Sequence, residues 1–231
     1  MTTIAARLQA VHRRIDAAAG SAGRSPESIR LIAVSKTFPP EAIAEAYAAG
    51  QVVFGESYLR EALGKMATLS DLSLEWHYIG PIQSNKTRQI AEQFHWVHGV
   101  DRLKIAERLS ISRPASLPPL EVCLQVNVSG EETKSGVRPE EVLALAKAVC
   151  PLPGIRLRGL MAIPEPTADP ALQRFRFRQI RDLKDEIVSC GIALDTLSMG
   201  MSDDLEAAIA EGATLVRVGR AIFGERLLHP G

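Results

Sequence analysis

Cysteine is scarce in this chain and no charge is in excess, and both facts narrow what it can be. Cys123, Cys150 and Cys190 are scattered without a CxxC pair. An odd number of distant thiols builds no disulfide framework and matches a reducing compartment, so a cytoplasmic protein is expected. Lysine plus arginine (27) equals aspartate plus glutamate (27), and with no net field neither nucleic acid nor an anionic membrane surface is an expected partner. A long apolar run is missing too. The first twenty residues, MTTIAARLQAVHRRIDAAAG, place Ile4, Leu8, Val11 and Ile15 on one helical face. They read as an amphipathic helix over about 2–20, not as a signal or an anchor. The Asn-x-Ser/Thr triplets at Asn85 and Asn127 accordingly carry no glycosylation meaning. His95 and His98, three apart on a strand, turn to opposite faces, and no metal is assigned.

What is present is apolar mass in regular order. Of 231 residues, 46% are hydrophobic and 23% charged, enough for a single domain over 1–231 with a sizeable core. Eight apolar runs read as strands: 31–35, 51–55, 74–80, 95–100, 120–129, 155–163, 194–200 and 214–219. Between them lie segments such as PEEVLALAKAVC and DPALQRFRFRQIRDLKDEIVSC, whose apolar residues recur at three and four positions behind a Pro or Asp start. Strand and helix alternating eight times is the pattern of an α/β (β/α)8 barrel of the TIM type, over about 30–226 with the N-terminal helix added. A doubly wound open sheet is the other fold this alternation can build.

In such a barrel, ligands sit at the C-terminal ends of the strands, and phosphates favour the loops after strands seven and eight. After the seventh comes SMGMSDDLEAAIAEG, where Gly200 permits a tight turn and Ser202 is placed to cap a helix. After the eighth comes VGRAIFGE, where Gly219 precedes a short helical piece. Each offers backbone N–H groups to a phosphate; taken singly, the first is an ordinary acidic N-cap. Lys36 ends the first strand in AVSKTFPP. It is either a side chain snorkelling to water or an amine partly withdrawn from water, whose lowered pKa suits imine formation with a carbonyl. A phosphate site and an imine-forming lysine together fit pyridoxal 5′-phosphate, and also a sugar phosphate in a Schiff-base aldolase. Arg217, inside the apolar strand TLVRVG, needs a partner. A buried carboxylate such as Asp195 is one choice and a pyridine nitrogen the other. Glu56 and Asn127 end strands at the same rim. The run RFRFRQIRDLK, with Arg174, Arg176, Arg178 and Arg181, reads as a solvated helix face.

The strings AVSKTFP, FGES, WHYIGPIQSNK, QVNVSGEETKSG, RGLMAIP, LSMGMSDDLEAAI and VRVGRAIFGER run in order from about residue 30 to 226. Together they resemble the pyridoxal phosphate homeostasis protein family, which is similar to the barrel domain of alanine racemases and other fold-type III enzymes. The resemblance implies that pyridoxal 5′-phosphate is held as a Schiff base on Lys36, that Arg217 faces the pyridine nitrogen, and that Ser202 and the Gly219 and Arg220 backbone hold the phosphate. It also implies that His77, Asn85, Met161 and Ser198 line the pocket. Two positions depart from the family pattern: Ser57, where members usually carry Asn, and Arg220, a place often held by a small residue. Family members bind the cofactor without an established robust activity and influence vitamin B6 and amino-acid balance. The expectation is therefore a monomeric buffer or carrier, with the cofactor and pyridoxal phosphate-dependent apo-enzymes as partners. The alternative is a racemase-like enzyme using Lys36 as base. Racemisation needs a base on each face of the substrate carbon, which alanine racemases supply as a tyrosine from a domain after the barrel, in a dimer. Here the chain ends shortly after VRVGRAIFGER, and Tyr47, Tyr58 and Tyr78 lie early.

Overall fold

The computed structural model describes residues 3–129 and 135–225. Thr2, the GEETK portion of the QVNVSGEETKSG string and Arg226 lie outside the described residues. Helix α1 (Ile4–Ser21) comes first. The Thr3 hydroxyl accepts a hydrogen bond from the Ala6 N–H and caps it, and Leu8, Val11 and Ile15 are buried on the face their spacing predicts. After a 3-10 turn at Pro26–Ser28, strands and helices alternate: β1 (Arg30–Val34), α2 (Pro40–Ala48), β2 (Val53–Glu56), α3 (Leu59–Thr68), β3 (Glu75–Tyr78), α4 (Thr87–Gln93), β4 (Trp96–Val100), α5 (Leu103–Ser112) and β5 (Leu120–Val126). A second 3-10 turn, Pro139–Glu141, leads into α6 (Val142–Val149), β6 (Ile155–Ala162), α7 (Pro170–Ser189), β7 (Thr196–Ser198), α8 (Leu205–Ala210), β8 (Leu215–Val218) and α9 (Arg220–Phe223).

All eight expected strands form, and their parallel pairing runs β1 to β8 and back to β1, where Arg30 to Ala33 pair with Leu215 to Val218. Closure decides for the barrel against the open sheet. Most strands are shorter than their apolar runs because pairing stops where the chain leaves for a loop; β1 keeps five residues but lies one position earlier than its run, so Ser35 and Lys36 stand just past it. Closure also creates two separate cores. One lies between strands and helices, where Leu31, Ala33, Phe54, Val97 and Val216 meet Ile43, Ile105, Phe177 and Ile209. The other fills the barrel itself with Ile32, Val53, Trp96, Cys123, Met161 and Leu215. The alternation of Leu31, Ile32 and Ala33 between these cores is the period-two pattern of a strand buried on both faces.

Helix starts follow local chemistry. Asp169 caps α7 by accepting from the Ala171 N–H at 2.9 Å, with Pro170 in the first turn. The α8 start corrects one expectation. Ser202 does not cap that helix, which begins three residues later; Asp204 stands at its N-cap position, and its carboxylate turns back to accept from the Met201 N–H at 2.6 Å. Gly200 has φ 95°, a left-handed turn that a side chain strains, and a Cβ there would stand 2.6 Å from that of Ala208. Among the described residues, no helix is long and apolar enough to cross a membrane.

Candidate functional site

The loop that carries Lys36 is held from beneath by buried charge. Glu56, the last residue of β2, is fully buried and accepts from the Ser35 hydroxyl and from Lys65 Nζ, each at 2.7 Å. Lys65 projects from α3 and is itself almost fully buried; it also donates to the Ser35 carbonyl at 2.8 Å and to Glu61. Glu61 in turn accepts from the Thr37 N–H at 2.6 Å. Thr37 has φ 70°, a left-handed conformation that costs a β-branched residue roughly 1–3 kcal/mol and persists only where neighbours enforce it. Burial pushes the Glu56 carboxyl up, against the opposing pull of Lys65 and Ser35. Lys36 is thus flanked by Ser35, held through its hydroxyl and carbonyl, and by Thr37, held through its backbone N–H.

A cavity of about 540 Å³ opens at this end of the barrel, lined by Lys36, Ser57, Ser202, Arg217, Gly219 and Arg220, with Val34, Ile79 and Ile163 as apolar walls. Arg217 is buried, 4% exposed, and donates through Nη1 to the Ser198 carbonyl and hydroxyl (2.6 and 2.7 Å) and through Nη2 to the Ala162 carbonyl (2.9 Å). Burial lowers its pKa to about 10, which still leaves it charged near neutrality. Asp195 is not its partner: that carboxylate binds Arg158 at the opposite end of β7 (2.6 Å). Arg220 reaches across the mouth to Asp203 (2.7 Å), tying the β7 and β8 loops together. The first N–H groups of α9, which begins after Gly219, have no acceptor within the helix.

The cavity thus gathers Lys36, Ser202 and the Arg217, Gly219 and Arg220 group from three separate stretches of sequence. The other expected pocket residues stand elsewhere. Ser198 lies fully buried beneath Arg217 as its acceptor, and Met161 belongs to the core inside the barrel. His77 is fully buried, its Nε2 2.8 Å from Glu75 near the N-terminal end of β3. Asn85 is exposed in the turn before α4. Its string nonetheless supplies the Ile79 wall. Glu56 and Asn127 are not among the lining residues. Sequence reasoning missed Lys65. Its signal was a lysine on the buried stripe of α3, three residues after Ala62 and six after Leu59.

A parallel barrel that brings an amine, a buried guanidinium and the loops after its last two strands together at its C-terminal mouth belongs to the class of (β/α)8 barrels with a ligand cavity at that face. The comparisons are specific. Residues 6–227 match the family model for the alanine racemase N-terminal domain. The chain is 64% identical over 226 residues to the pyridoxal phosphate homeostasis protein of Pseudomonas aeruginosa, covering 98% of this chain and 97% of that one. It is 52% identical over 229 residues to the protein of the same name from Escherichia coli, with 98% of each chain covered. Among solved structures it resembles PipY of Synechococcus elongatus with pyridoxal phosphate bound, at 39% identity and a TM-score of 0.85, over 96% of this chain and all of that one. Alanine racemase of Corynebacterium glutamicum shares the fold at 19% identity and a TM-score of 0.65, over 93% of this chain and 60% of that one. The chain belongs to the alanine racemase N-terminal domain family, within the group of the pyridoxal phosphate homeostasis proteins.

Proposed function

We propose that this protein binds pyridoxal 5′-phosphate at the C-terminal mouth of its barrel and serves the homeostasis of that cofactor. The residues present fit the group. An aldehyde, a phosphate and a pyridine nitrogen call for an amine, a set of N–H and O–H donors, and a permanent cation. Lys36, Ser202 with the N–H groups of Gly219 and Arg220, and Arg217 meet these demands around one cavity. That convergence is the observation that carries the reading.

Lys36 attaches the cofactor covalently, as a Schiff base, through its ε-amine. Ser202 and the α9 N-terminus hold the phosphate. Arg217, charged and pinned by Ser198 and Ala162, donates to the ring nitrogen and keeps a proton off it. When bound, the cofactor supplies an electron sink for carbanions. An unprotonated ring is a weaker sink, so these residues favour holding over turnover. Val34, Ile79 and Ile163 give the cavity its apolar walls. The protein acts as a single barrel domain, monomeric and cytoplasmic, buffering the cofactor and passing it to dependent apo-enzymes. A racemase-like reading needs a second base opposite Lys36; among the described residues, those lining this cavity include no tyrosine, histidine or cysteine, and its carboxylates are Asp203, which pairs with Arg220, and Glu225.

The test is uptake and release. Purified protein given pyridoxal 5′-phosphate is expected to bind it with a new absorption band, and then to reactivate the apo-form of a dependent enzyme while turning over no amino acid itself. A protein that takes up none contradicts the binding. Steady turnover of an added amino acid, lost in Lys36→Ala, contradicts the carrier role.

A further inference from the structure

A single file of hydrogen-bonded side chains runs through the barrel, from Glu75 at the N-terminal end to Arg217 at the mouth. His77 Nε2 lies 2.8 Å from Glu75 Oε1, His77 Nδ1 lies 2.9 Å from His98 Nε2, His98 Nδ1 lies 2.8 Å from the Ser198 hydroxyl, and that oxygen accepts from Arg217. His77, His98 and Ser198 are each fully buried. These residues come from β3, β4, β7 and β8, and only barrel closure brings them together.

One assignment of hydrogens satisfies the file. Ionised Glu75 can only accept, so His77 carries its hydrogen on Nε2 and leaves Nδ1 as an acceptor. His98 must then donate from Nε2, which makes its Nδ1 an acceptor. The Ser198 hydroxyl therefore donates to His98, and its lone pairs are left for the Arg217 guanidinium. We propose that Glu75 is the positioning residue for Arg217, acting from the far end of the barrel through the tautomers of His77 and His98 and the direction of the Ser198 hydroxyl. Arg30 donates to the second Glu75 oxygen at 2.8 Å and holds the carboxylate in place. Burial alone would raise the Glu75 pKa, and the bonds from His77 and Arg30 outweigh it, holding it at about 2. The groups facing His77 are Glu75, Arg30, His95 and His98; those facing His98 are His77 and Arg217. Burial, the largest influence on both rings, lowers His77 to about 4 and His98 well below 6.5, so both stay neutral near neutrality.

The assignment of hydrogens stands apart from the cofactor; the task it gives Arg217 rests on the proposed binding. The test is nitrogen NMR on histidine-labelled protein without cofactor, near pH 7.5. His77 and His98 are both expected as the Nε2–H tautomer. His95 serves as internal reference, because its Nδ1 accepts from the Trp76 N–H at 3.0 Å. An Nδ1–H form or an imidazolium at either ring overturns the inference. In Glu75→Gln, Arg30 can donate only to the amide oxygen, which turns the NH2 group toward His77. Both rings are then expected to switch to Nδ1–H, and the dissociation constant for pyridoxal 5′-phosphate to rise about fivefold. Unchanged tautomers, or switched tautomers with unchanged affinity, overturn it as well. Ser198→Ala provides a second route: wild-type tautomers with about fivefold weaker uptake are expected, and full uptake contradicts the role. If the wild type shows the assigned tautomers yet takes up no cofactor, the binding proposal fails and the tautomer assignment survives.

Discussion

The two ends of the barrel both carry cavities rimmed with arginine, and they differ in what the charges face. The larger cavity, about 720 Å³, is at the N-terminal end, lined by Arg30, Arg113, Arg158, Glu75 and Glu121 among others. There each arginine is already answered: Arg30 by Glu75, Arg158 by Glu121 and Asp195, and Arg113 by the Ala91, Phe94 and Pro118 carbonyls. The smaller cavity at the mouth, about 540 Å³, is lined by Lys36, by Arg217, which Ser198 and Ala162 hold in place, and by Arg220, which pairs with Asp203 across the rim. Volume therefore does not mark the end at which we place the cofactor. The mouth stands out because it gathers an amine and a guanidinium on strand ends and loop starts at the C-terminal face, where barrels of this kind bind ligands.

That contrast yields graded expectations. The largest concerns the ion pair beneath Lys36. Lys65→Met leaves Glu56 buried without its cation, and breaking one side of a buried pair costs about 3–5 kcal/mol, to be read as a shift in urea midpoint. A loss below about 1 kcal/mol would place the support of the Lys36 loop elsewhere.

Acid comes next, acting on the column between the two ends. Unfolded His77 takes a proton near 6.5, while in the fold it resists until about 4. Stability is therefore present above 6.5 and falls as pH drops from 6.5 to about 4, by about 3 kcal/mol at ~1.4 kcal/mol per pH unit. Glu75, held at about 2 against 4.5, adds a further loss below 4.5 as it approaches protonation. Urea unfolding at pH 7 and pH 4.5 measures the slope; a flat profile contradicts neutral buried histidines.

A smaller effect is expected at the mouth itself. Arg217→Lys keeps a cation but cannot reach Ser198 and Ala162 together, and cofactor affinity should fall about tenfold, ~1.4 kcal/mol. The smallest is at the opposite end. Asp195→Ala removes an exposed partner of Arg158, with a side chain 61% exposed. It should cost less than about 1 kcal/mol and leave cofactor titration unchanged. A loss of affinity there would erase the distinction between the ends.

The barrel was legible because strands buried on both faces read as continuous apolar runs and because helices opened with Asp or Pro, as at Asp169 and Pro170. His95 and His98 turned to opposite faces as their spacing requires: one bonds a backbone N–H outside the file, the other enters it. What the sequence hid depends on closure. Nothing local tells that His77 and His98, twenty-one residues apart, meet inside a barrel, or that Glu56 pairs with a lysine one helix away. Ser202 looked like a cap because Asp203 and Asp204 follow it, yet the helix starts later and Asp204 bonds backward. Asn85 sits in a string that supplies the pocket wall, but it is exposed in the turn beyond that wall.

The central claim is that the mouth, through Lys36, is where the cofactor is held. The most direct measurement is borohydride reduction of the protein mixed with pyridoxal 5′-phosphate, followed by peptide mass spectrometry. The account predicts a stable adduct on the peptide carrying Lys36, absent in Lys36→Ala. An adduct spread over surface lysines, or equally present in Lys36→Ala, would contradict it.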